Sequence, residues 1–356
     1  MLYNHGKLLE KDRKFCYYKE KQREEDVRML NKKRYETMRY TRCGKSGLKL
    51  PRVSLGLWHN FGTNDSFENM TKMCLTAFDL GITHFDIANN YGPLPGSAEE
   101  NFGRILKQQL SAYRDELIVS TKAGYHMWEG PYGDGGSLKY MTASLDQSLR
   151  RLGLEYVDIF YHHRPDNDTP VEESMLALDR AVKSGKALYA GLSNYSGEQM
   201  LAAARILEEL KCPFVINQNR YSILDRGIEQ NGLLAAAGQE GKGLIIYSPL
   251  AQGLLTDRYL DGVPEGSRAK KNVFLKEASI TPEKIQMLCK LREVARQRGE
   301  TLAQMALAWV LRKQEVTGVL IGASCPEQIR ENVGVLASEP FCIEQEMRID
   351  TICREG

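Results

Sequence analysis

The chain has 356 residues and a formal net charge of +2, a length that suits one large α/β domain or two smaller ones. Its hydrophobic content of 42% and charged content of 26% are those of a globular protein. The nearly neutral balance argues against partners such as nucleic acid or a membrane surface. No apolar run approaches the roughly 18 residues of a membrane helix, and the N-terminus lacks the apolar core of a signal peptide. We therefore expect a cytoplasmic protein without membrane insertion.

The first 35 residues are rich in charge and poor in residues of core size. Residues 1–40 hold twelve Lys/Arg against seven Asp/Glu, so the excess positive charge is local. We predict that residues 1–35 form a disordered leader or a peripheral helix, and that residues 36–356 form the folded domain. The eight cysteines are scattered without a C-x-x-C pair, which indicates reduced thiols.

From about residue 38 the pattern becomes regular. The stretch MRYTRCGKSGLKLP (38–51) predicts a β-hairpin around a Gly-rich turn. Short apolar runs then alternate with helix-length segments that carry capping signals, such as S-G-E-Q at Ser196. The predicted strands cover residues 52–58, 82–88, 117–122, 157–161, 187–193, 214–218, 243–248 and 318–323.

Eight strands that alternate with helices indicate a parallel sheet covered on both faces, because each strand is apolar through its middle. The sequence therefore predicts an α/β protein: a (β/α)8 TIM barrel with an N-terminal β-hairpin and a long loop after strand seven, at about residues 250–280. A doubly wound sheet is the alternative. That fold usually places G-x-G-x-x-G after its first strand, where this chain reads LWHNFGTND.

Polar residues gather where the early strands of the predicted barrel end. Asp86 ends strand two and Tyr91 follows it, Lys122 ends strand three, and His163 follows strand four. Each alone has an ordinary structural explanation, such as a turn cap or a buried core histidine. Together they lie on the face where β/α barrels carry their chemistry, so we predict that these four residues form a catalytic site.

This combination suits delivery of a proton to an oxygen that gains negative charge. A tyrosine, with an ordinary pKa near 10, is a weak acid, and a neighbouring ammonium favours its phenolate. A carboxylate holds that ammonium in place, and a neutral histidine can polarise a carbonyl oxygen. A carbonyl that accepts a hydride is such an oxygen.

The later strands end in residues that suit a nicotinamide cofactor. Ser193 and Asn194 carry groups for a carboxamide, as does Gln218 after strand six, and Tyr247 after strand seven can stack on a flat ring. The segment GASCPEQIRENV opens a helix whose amides suit a phosphate, although an ordinary capped helix explains it equally well. The candidates in that segment and in the long loop are Gly322, Ser324, Gln328, Glu331, Asn332, Arg258 and Arg268.

The stretches GLWHNFG, HFDIANNYG, STKAGY, YVDIFYHHRPD, SNY, YSPLAQGLLT and VLIGASCPEQIREN together resemble the aldo-keto reductase family, in the family's order over residues 38–340. The resemblance is closest to the branch of bacterial L-glyceraldehyde-3-phosphate reductases and potassium-channel β-subunits. It implies NADPH-dependent reduction of small aldehydes, such as L-glyceraldehyde 3-phosphate or methylglyoxal, by a homo-oligomer (tetramer or octamer). It also implies a tetrad of Asp86, Tyr91, Lys122 and His163, with Tyr91 as the general acid.

The resemblance adds Trp58, Ser248 and Leu250 to the cofactor contacts. Other branches place a lysine and an arginine around the 2′-phosphate where this chain has Gly322 and Gln328, so a preference for NADPH would rest on the loop arginines and neutral donors. The channel β-subunits have asparagine where His163 stands, which favours a working enzyme here. The loop around residues 126–136 is expected to line most of the substrate pocket, where Trp128 and Tyr132 are candidates for the lining or, equally, packing aromatics.

Three other functions are alternatives to the reduction of aldehydes. A cofactor-sensing regulatory subunit, as in the channel branch, would bind NADPH tightly and turn over slowly. A Schiff-base enzyme would use Lys122 as its nucleophile. A metal site is disfavoured, because His162 and His163 are adjacent in sequence and no H-E-x-x-H motif is present.

Overall fold

The structure is a computed structural model that describes residues 30–265, 267–271 and 275–355. Residues 1–29 of the predicted leader therefore lie outside the described residues. A compact unit begins at Arg34. The short helix Arg34–Thr37 belongs to this unit, because Arg34 is buried and its guanidinium pairs with Glu116 at 2.8 Å.

A two-stranded antiparallel hairpin precedes the barrel, which confirms its prediction. Strand β1 (Tyr40–Arg42) pairs with β2 (Lys49–Pro51). The Cys43 thiol, at the end of β1, donates to the carbonyl of Val215 at 3.3 Å. Val215 lies near the start of a barrel strand, so the hairpin covers the end of the barrel opposite the carboxyl ends of its strands.

Eight parallel strands close into a barrel, which confirms the predicted (β/α)8 fold. The last strand pairs with the first, with Val319 opposite Val53. In chain order the barrel strands are β3 (Val53–Gly56), β4 (His84–Asp86), β5 (Ile118–Ala123), β6 (Val157–His162), β7 (Ala187–Ser193), β8 (Phe214–Arg220), β9 (Gly243–Tyr247) and β10 (Val316–Ile321).

Helices cover the outside of the barrel, so strands such as β6 and β10 are buried along their whole length. The predicted cap at Ser196 forms a capping box with Gln199. Within the described residues, no helix is long and apolar enough to cross a bilayer. The α-helices are α1 (Arg34–Thr37), α2 (Phe67–Asp79), α3 (Ser97–Ile105), α4 (Leu138–Leu152), α5 (Val171–Lys183), α6 (Gly197–Glu209), α7 (Gly227–Gln230), α8 (Leu233–Glu240), α9 (Arg268–Lys271), α10 (Pro282–Gln297), α11 (Leu302–Leu311), α12 (Pro326–Val333) and α13 (Ile343–Glu355).

The long loop after β9 carries short helical turns, including Ala251–Gly253 and Asp257–Tyr259. Three residues at its start that are not glycine, Ser248, Ala251 and Gln252, have positive φ angles of 52°, 47° and 62°. The loop has a small apolar cluster of its own, built from Leu254, Tyr259, Ala269 and Leu275. This cluster anchors the loop beside the carboxyl end of β9.

Candidate active site

Asp86 and Lys122 form a buried ion pair at the carboxyl ends of β4 and β5. Lys122 Nζ donates to Asp86 Oδ2 at 2.5 Å, to the carbonyl of Ile87 at 2.8 Å, and to Tyr91 Oη at 3.5 Å. Lys122 is fully buried and Asp86 is 2% exposed. Because an ammonium has three donors, these contacts use all of them and fix the position of the amine.

Asp86 is held from its other side as well. Its Oδ1 atom accepts from Ser120 Oγ at 2.6 Å and from Gln218 Nε2 at 3.1 Å. The carboxylate therefore has donors on both oxygens, which is what a buried anion requires. The sequence predicts Gln218 as a cofactor contact, and the structure places its side-chain amide against Asp86.

The electrostatics of Tyr91 differ from the expectation. Burial raises the pKa of Tyr91 well above 10, and the Asp86 carboxylate acts in the same direction. Burial also lowers the pKa of Lys122, against the opposing effect of Asp86. Tyr91 therefore keeps its proton at neutral pH.

His163 is a buried, neutral imidazole beside Tyr91. The two ring centroids lie 5.9 Å apart, and the ring of Tyr125 meets His163 edge-on at 4.6 Å. Burial lowers the pKa of His163 well below 6.5, and the Lys122 charge adds to the effect. A neutral imidazole can donate a hydrogen bond to a carbonyl oxygen without carrying charge.

A cavity of about 750 Å³ opens at the carboxyl ends of the strands, within the usual range of small-molecule and cofactor sites. The carboxylate of Asp86, the phenol of Tyr91 and the imidazole of His163 line one part of it. The predicted cofactor contacts that line it are Trp58, Ser193, Asn194, Gln218, Tyr247, Ser248, Leu250, Arg258, Gly322, Gln328, Glu331 and Asn332.

A few predicted residues lie elsewhere. Lys122 is behind the lining and acts through Asp86 and Tyr91. Ser324 is exposed next to the cavity, where the side chain of Gln328 accepts from its backbone amide at 2.8 Å. Arg268 begins α9, and its side chain is not among the described groups.

The expectation for residues 126–136 was wrong. None of them lines the cavity. Trp128 packs instead against Tyr140, with ring centroids 5.2 Å apart, and Tyr132 is 55% exposed. Tyr125, immediately before this segment, takes the place next to His163.

The Aldo/keto reductase family model matches residues 52–354. This chain belongs to the aldo/keto reductase family. It is 54% identical over 334 residues to L-glyceraldehyde 3-phosphate reductase of Escherichia coli O157:H7, which covers 93% of this chain and 96% of that protein. It is 38% identical over 301 residues to a putative voltage-gated potassium channel subunit beta of Schizosaccharomyces pombe (strain 972), over 82% of this chain and 86% of that one. A crystal structure of a thermostable aldo-keto reductase with the inhibitor epalrestat superposes with a TM-score of 0.70 at 28% identity, over 88% of this chain and all of that chain.

Aldo/keto reductases are oxidoreductases that use NAD(P)H, and the cavity of this aldo/keto reductase fits such a dinucleotide. Tyr91 and His163 line this cavity, and so do Thr301, Leu302 and Ala303 at the start of α11. Helix N-termini favour anions such as phosphates. The cavity thus combines a volume of about 750 Å³ with a helix N-terminus that suits a phosphate, and a dinucleotide needs both.

The sequence does not indicate every role that residues have at the cavity of this aldo/keto reductase. Thr301 starts α11 with a capping box to Gln304, so the T-x-x-Q pattern marks the helix start but not its place at the cavity. Asn194 also has a role that its type did not reveal. Its Oδ1 accepts from Tyr247 Oη at 2.7 Å and its Nδ2 donates to the carbonyl of His163 at 2.9 Å. Asn194 therefore links Tyr247, the predicted stacking residue, to the backbone of His163.

Proposed function

We propose that this aldo/keto reductase reduces small aldehydes to alcohols with NADPH, and that Tyr91 supplies the proton. The observation that carries the proposal is the position of Tyr91. Its phenol lines the cavity beside neutral His163, and its oxygen accepts from Lys122, which is itself fixed by Asp86. The phenol's own proton is therefore directed away from Lys122.

The bound cofactor supplies a hydride to the carbonyl carbon. As the carbon–oxygen double bond becomes single, its oxygen gains negative charge, and the N–H of His163 stabilises that charge. Tyr91 Oη then gives its proton to the oxygen, which yields the alcohol. The phenolate left behind lies beside the Lys122 ammonium, which stabilises it until solvent returns the proton.

A phenol with a raised pKa still suits this step. An alkoxide is about as basic as hydroxide, which makes it a far stronger base than an ordinary phenolate. Such an oxygen can therefore accept the proton of a phenol. The raised pKa keeps Tyr91 protonated before the reaction, which a general acid requires.

The proposed preference for NADPH over NADH rests on one positive charge at the cavity. Arg258 is the one Lys or Arg side chain among the described residues that line the cavity. It lies in the long loop after β9 and can pair with a phosphate. Neutral donors such as Gln328 complete that region, which makes the expected preference modest in size.

A phosphorylated three-carbon aldehyde is the proposed substrate class, supported by the name of the relative at 54% identity. The test is NADPH oxidation by the purified protein with L-glyceraldehyde 3-phosphate, its unphosphorylated form, methylglyoxal and aromatic aldehydes. We expect kcat/KM to be highest for the phosphorylated aldehyde. Equal values with and without the phosphate would contradict this substrate class.

The same assay separates the alternatives. A sensor subunit, the function favoured by the name of the 38% identical relative, would bind NADPH tightly and reduce none of these aldehydes. Schiff-base chemistry at Lys122 is disfavoured by its full burial and its three donated hydrogen bonds. The homo-oligomeric state stays a prediction, and native mass spectrometry measures it.

A further inference from the structure

A second buried histidine lies beneath the proposed catalytic residues, on the strand that ends in Asp86. His84 is fully buried in β4 and does not line the cavity. Its Nδ1 lies 3.0 Å from Ser54 Oγ on β3, and its Nε2 lies 2.9 Å from Ser120 Oγ on β5. It thus bridges the two neighbouring strands.

The contacts of His84 continue to the catalytic acid. Ser120 Oγ is 2.6 Å from Asp86 Oδ1. Four side chains from three adjacent strands therefore form one hydrogen-bonded chain, Ser54–His84–Ser120–Asp86, which ends at the carboxylate that holds Lys122.

The direction of every hydrogen bond in this chain follows from its acidic end. The Asp86 carboxylate, paired with the Lys122 ammonium, can only accept hydrogen bonds. The Ser120 hydroxyl must therefore donate its single proton to Asp86. Ser120 Oγ must then accept from His84, which places the imidazole proton on Nε2. His84 Nδ1 is therefore the acceptor, and the hydroxyl of Ser54 donates to it.

Burial supports a single protonation state for this ring. It lowers the pKa of His84 to about 4. The ring is neutral at working pH, so it has one donor and one acceptor, and the chain uses both. No other arrangement of these protons satisfies all four side chains.

We propose that His84, as the neutral Nε2–H tautomer, is a positioning residue: it orients the Ser120 hydroxyl toward Asp86 Oδ1 and so keeps Asp86 Oδ2 on Lys122. This rests on the proposed function, since it is the Tyr91 proton transfer that needs Lys122 in place. Without the His84 donor, the Ser120 hydroxyl can rotate away from Asp86. Lys122 then loses part of the fixed geometry that directs it to Tyr91.

The kinetic test compares two substitutions at His84. His84→Leu removes both hydrogen bonds, and His84→Gln keeps an N–H donor at the same number of bonds from the backbone. We expect kcat to fall about tenfold in His84→Leu, the worth of about one lost hydrogen bond, with KM and the Kd for NADPH unchanged. His84→Gln is expected to restore most of kcat.

His162→Leu is the matched control. His162 is also buried, and its Nδ1 lies 2.7 Å from Tyr195 Oη, a contact that does not lead to Asp86. A similar fall in kcat in His162→Leu and His84→Leu would overturn the proposal, because the loss would then follow from removing any buried histidine. Wild-type kcat in His84→Leu would overturn it as well.

Two measurements need no turnover. Long-range ¹H–¹⁵N spectra should show a proton on Nε2 of His84 and none on Nδ1 at neutral pH, and the opposite tautomer or a doubly protonated ring would overturn the proposal. A double-mutant cycle of unfolding between His84→Leu and Lys122→Met should show coupling, and strict additivity would contradict it. If the wild-type protein reduces no carbonyl, the proposed function fails, while these two results still decide whether His84 positions the ion pair.

Discussion

The Nζ atom of Lys122 donates to Tyr91 Oη at 3.5 Å, so the phenol oxygen is an acceptor on the side of the ion pair. The phenol's proton therefore remains available on its other side, toward the cavity that Tyr91 lines. This relationship supports the proposed role of Tyr91 as a proton donor that is a neutral phenol at rest. The raised pKa of Tyr91 agrees with that role.

Replacing Tyr91 by phenylalanine removes only the hydroxyl. We expect kcat for aldehyde reduction to fall by about 10²–10⁴, the usual contribution of a general acid. The Kd for NADPH, measured by fluorescence titration, should stay within about twofold, because the ring still fills its place beside Trp58, 6.1 Å away between centroids. Wild-type kcat in Tyr91→Phe would remove Tyr91 from the role of proton donor.

The Asp86–Lys122 pair gives a stability prediction. Lys122→Met leaves the Asp86 carboxylate buried without its cation, which costs about 3–5 kcal/mol of unfolding free energy. The double variant Asp86→Asn/Lys122→Met removes both charges, so it should be more stable than Lys122→Met alone. Urea denaturation of the wild type and these two variants measures this, and a double variant less stable than Lys122→Met would contradict it.

Much of the fold and the outline of the site could be predicted from sequence. The barrel strands are buried on both faces, so each reads as a short apolar run, and a polar residue at its end stands out, as Asp86 does. Because all carboxyl ends of a parallel barrel meet at one face, Asp86, Lys122 and His163 could be placed together without knowing any distance.

The parts that were missed depend on contacts between distant segments. His84 lies two residues before Asp86 on the same strand, and its sequence context indicates an ordinary core residue. Its proposed role depends on the closeness of Ser54 and Ser120, which belong to the neighbouring strands. The start of the loop after β9 is shaped by positive φ angles at Ser248 and Gln252, which neither residue type indicates. The direction of the Tyr91 pKa shift also depends on burial, which no local pattern shows.

Arg258 provides a test of cofactor preference. Among the described residues that line the cavity, Arg258 is the Lys or Arg side chain that can pair with a phosphate. We expect Arg258→Ala to raise the Kd for NADPH by about three- to tenfold, as for loss of one partly exposed charge-assisted hydrogen bond, and to weaken the salt dependence of binding. Arg258→Lys, which keeps the charge, serves as the control. An unchanged Kd for NADPH in Arg258→Ala would assign the preference to neutral donors such as Gln328.

The buried histidines make folding stability depend on pH. Burial lowers the pKa of His84 and that of His162 to about 4, against 6.5 for an ordinary histidine. Between pH 6.5 and about 4 the unfolded chain therefore binds protons at these positions that the folded chain does not bind, so the free energy of unfolding falls as the pH is lowered through this window. Each histidine contributes up to about 1.4 kcal/mol per pH unit.

This dependence can be measured by urea denaturation at a series of pH values. The His162→Gln variant removes one of the buried histidines whose pKa is lowered, so its stability should fall less steeply than that of the wild type below pH 6.5 and run parallel to it above. His84→Gln should behave in the same way, and the double variant should be flatter still. Curves that stay parallel down to about pH 4 would contradict the prediction, because the two rings would then be protonated as easily in the folded protein as in the unfolded chain. Both side chains are buried, with 0% exposure for His84 and 1% for His162.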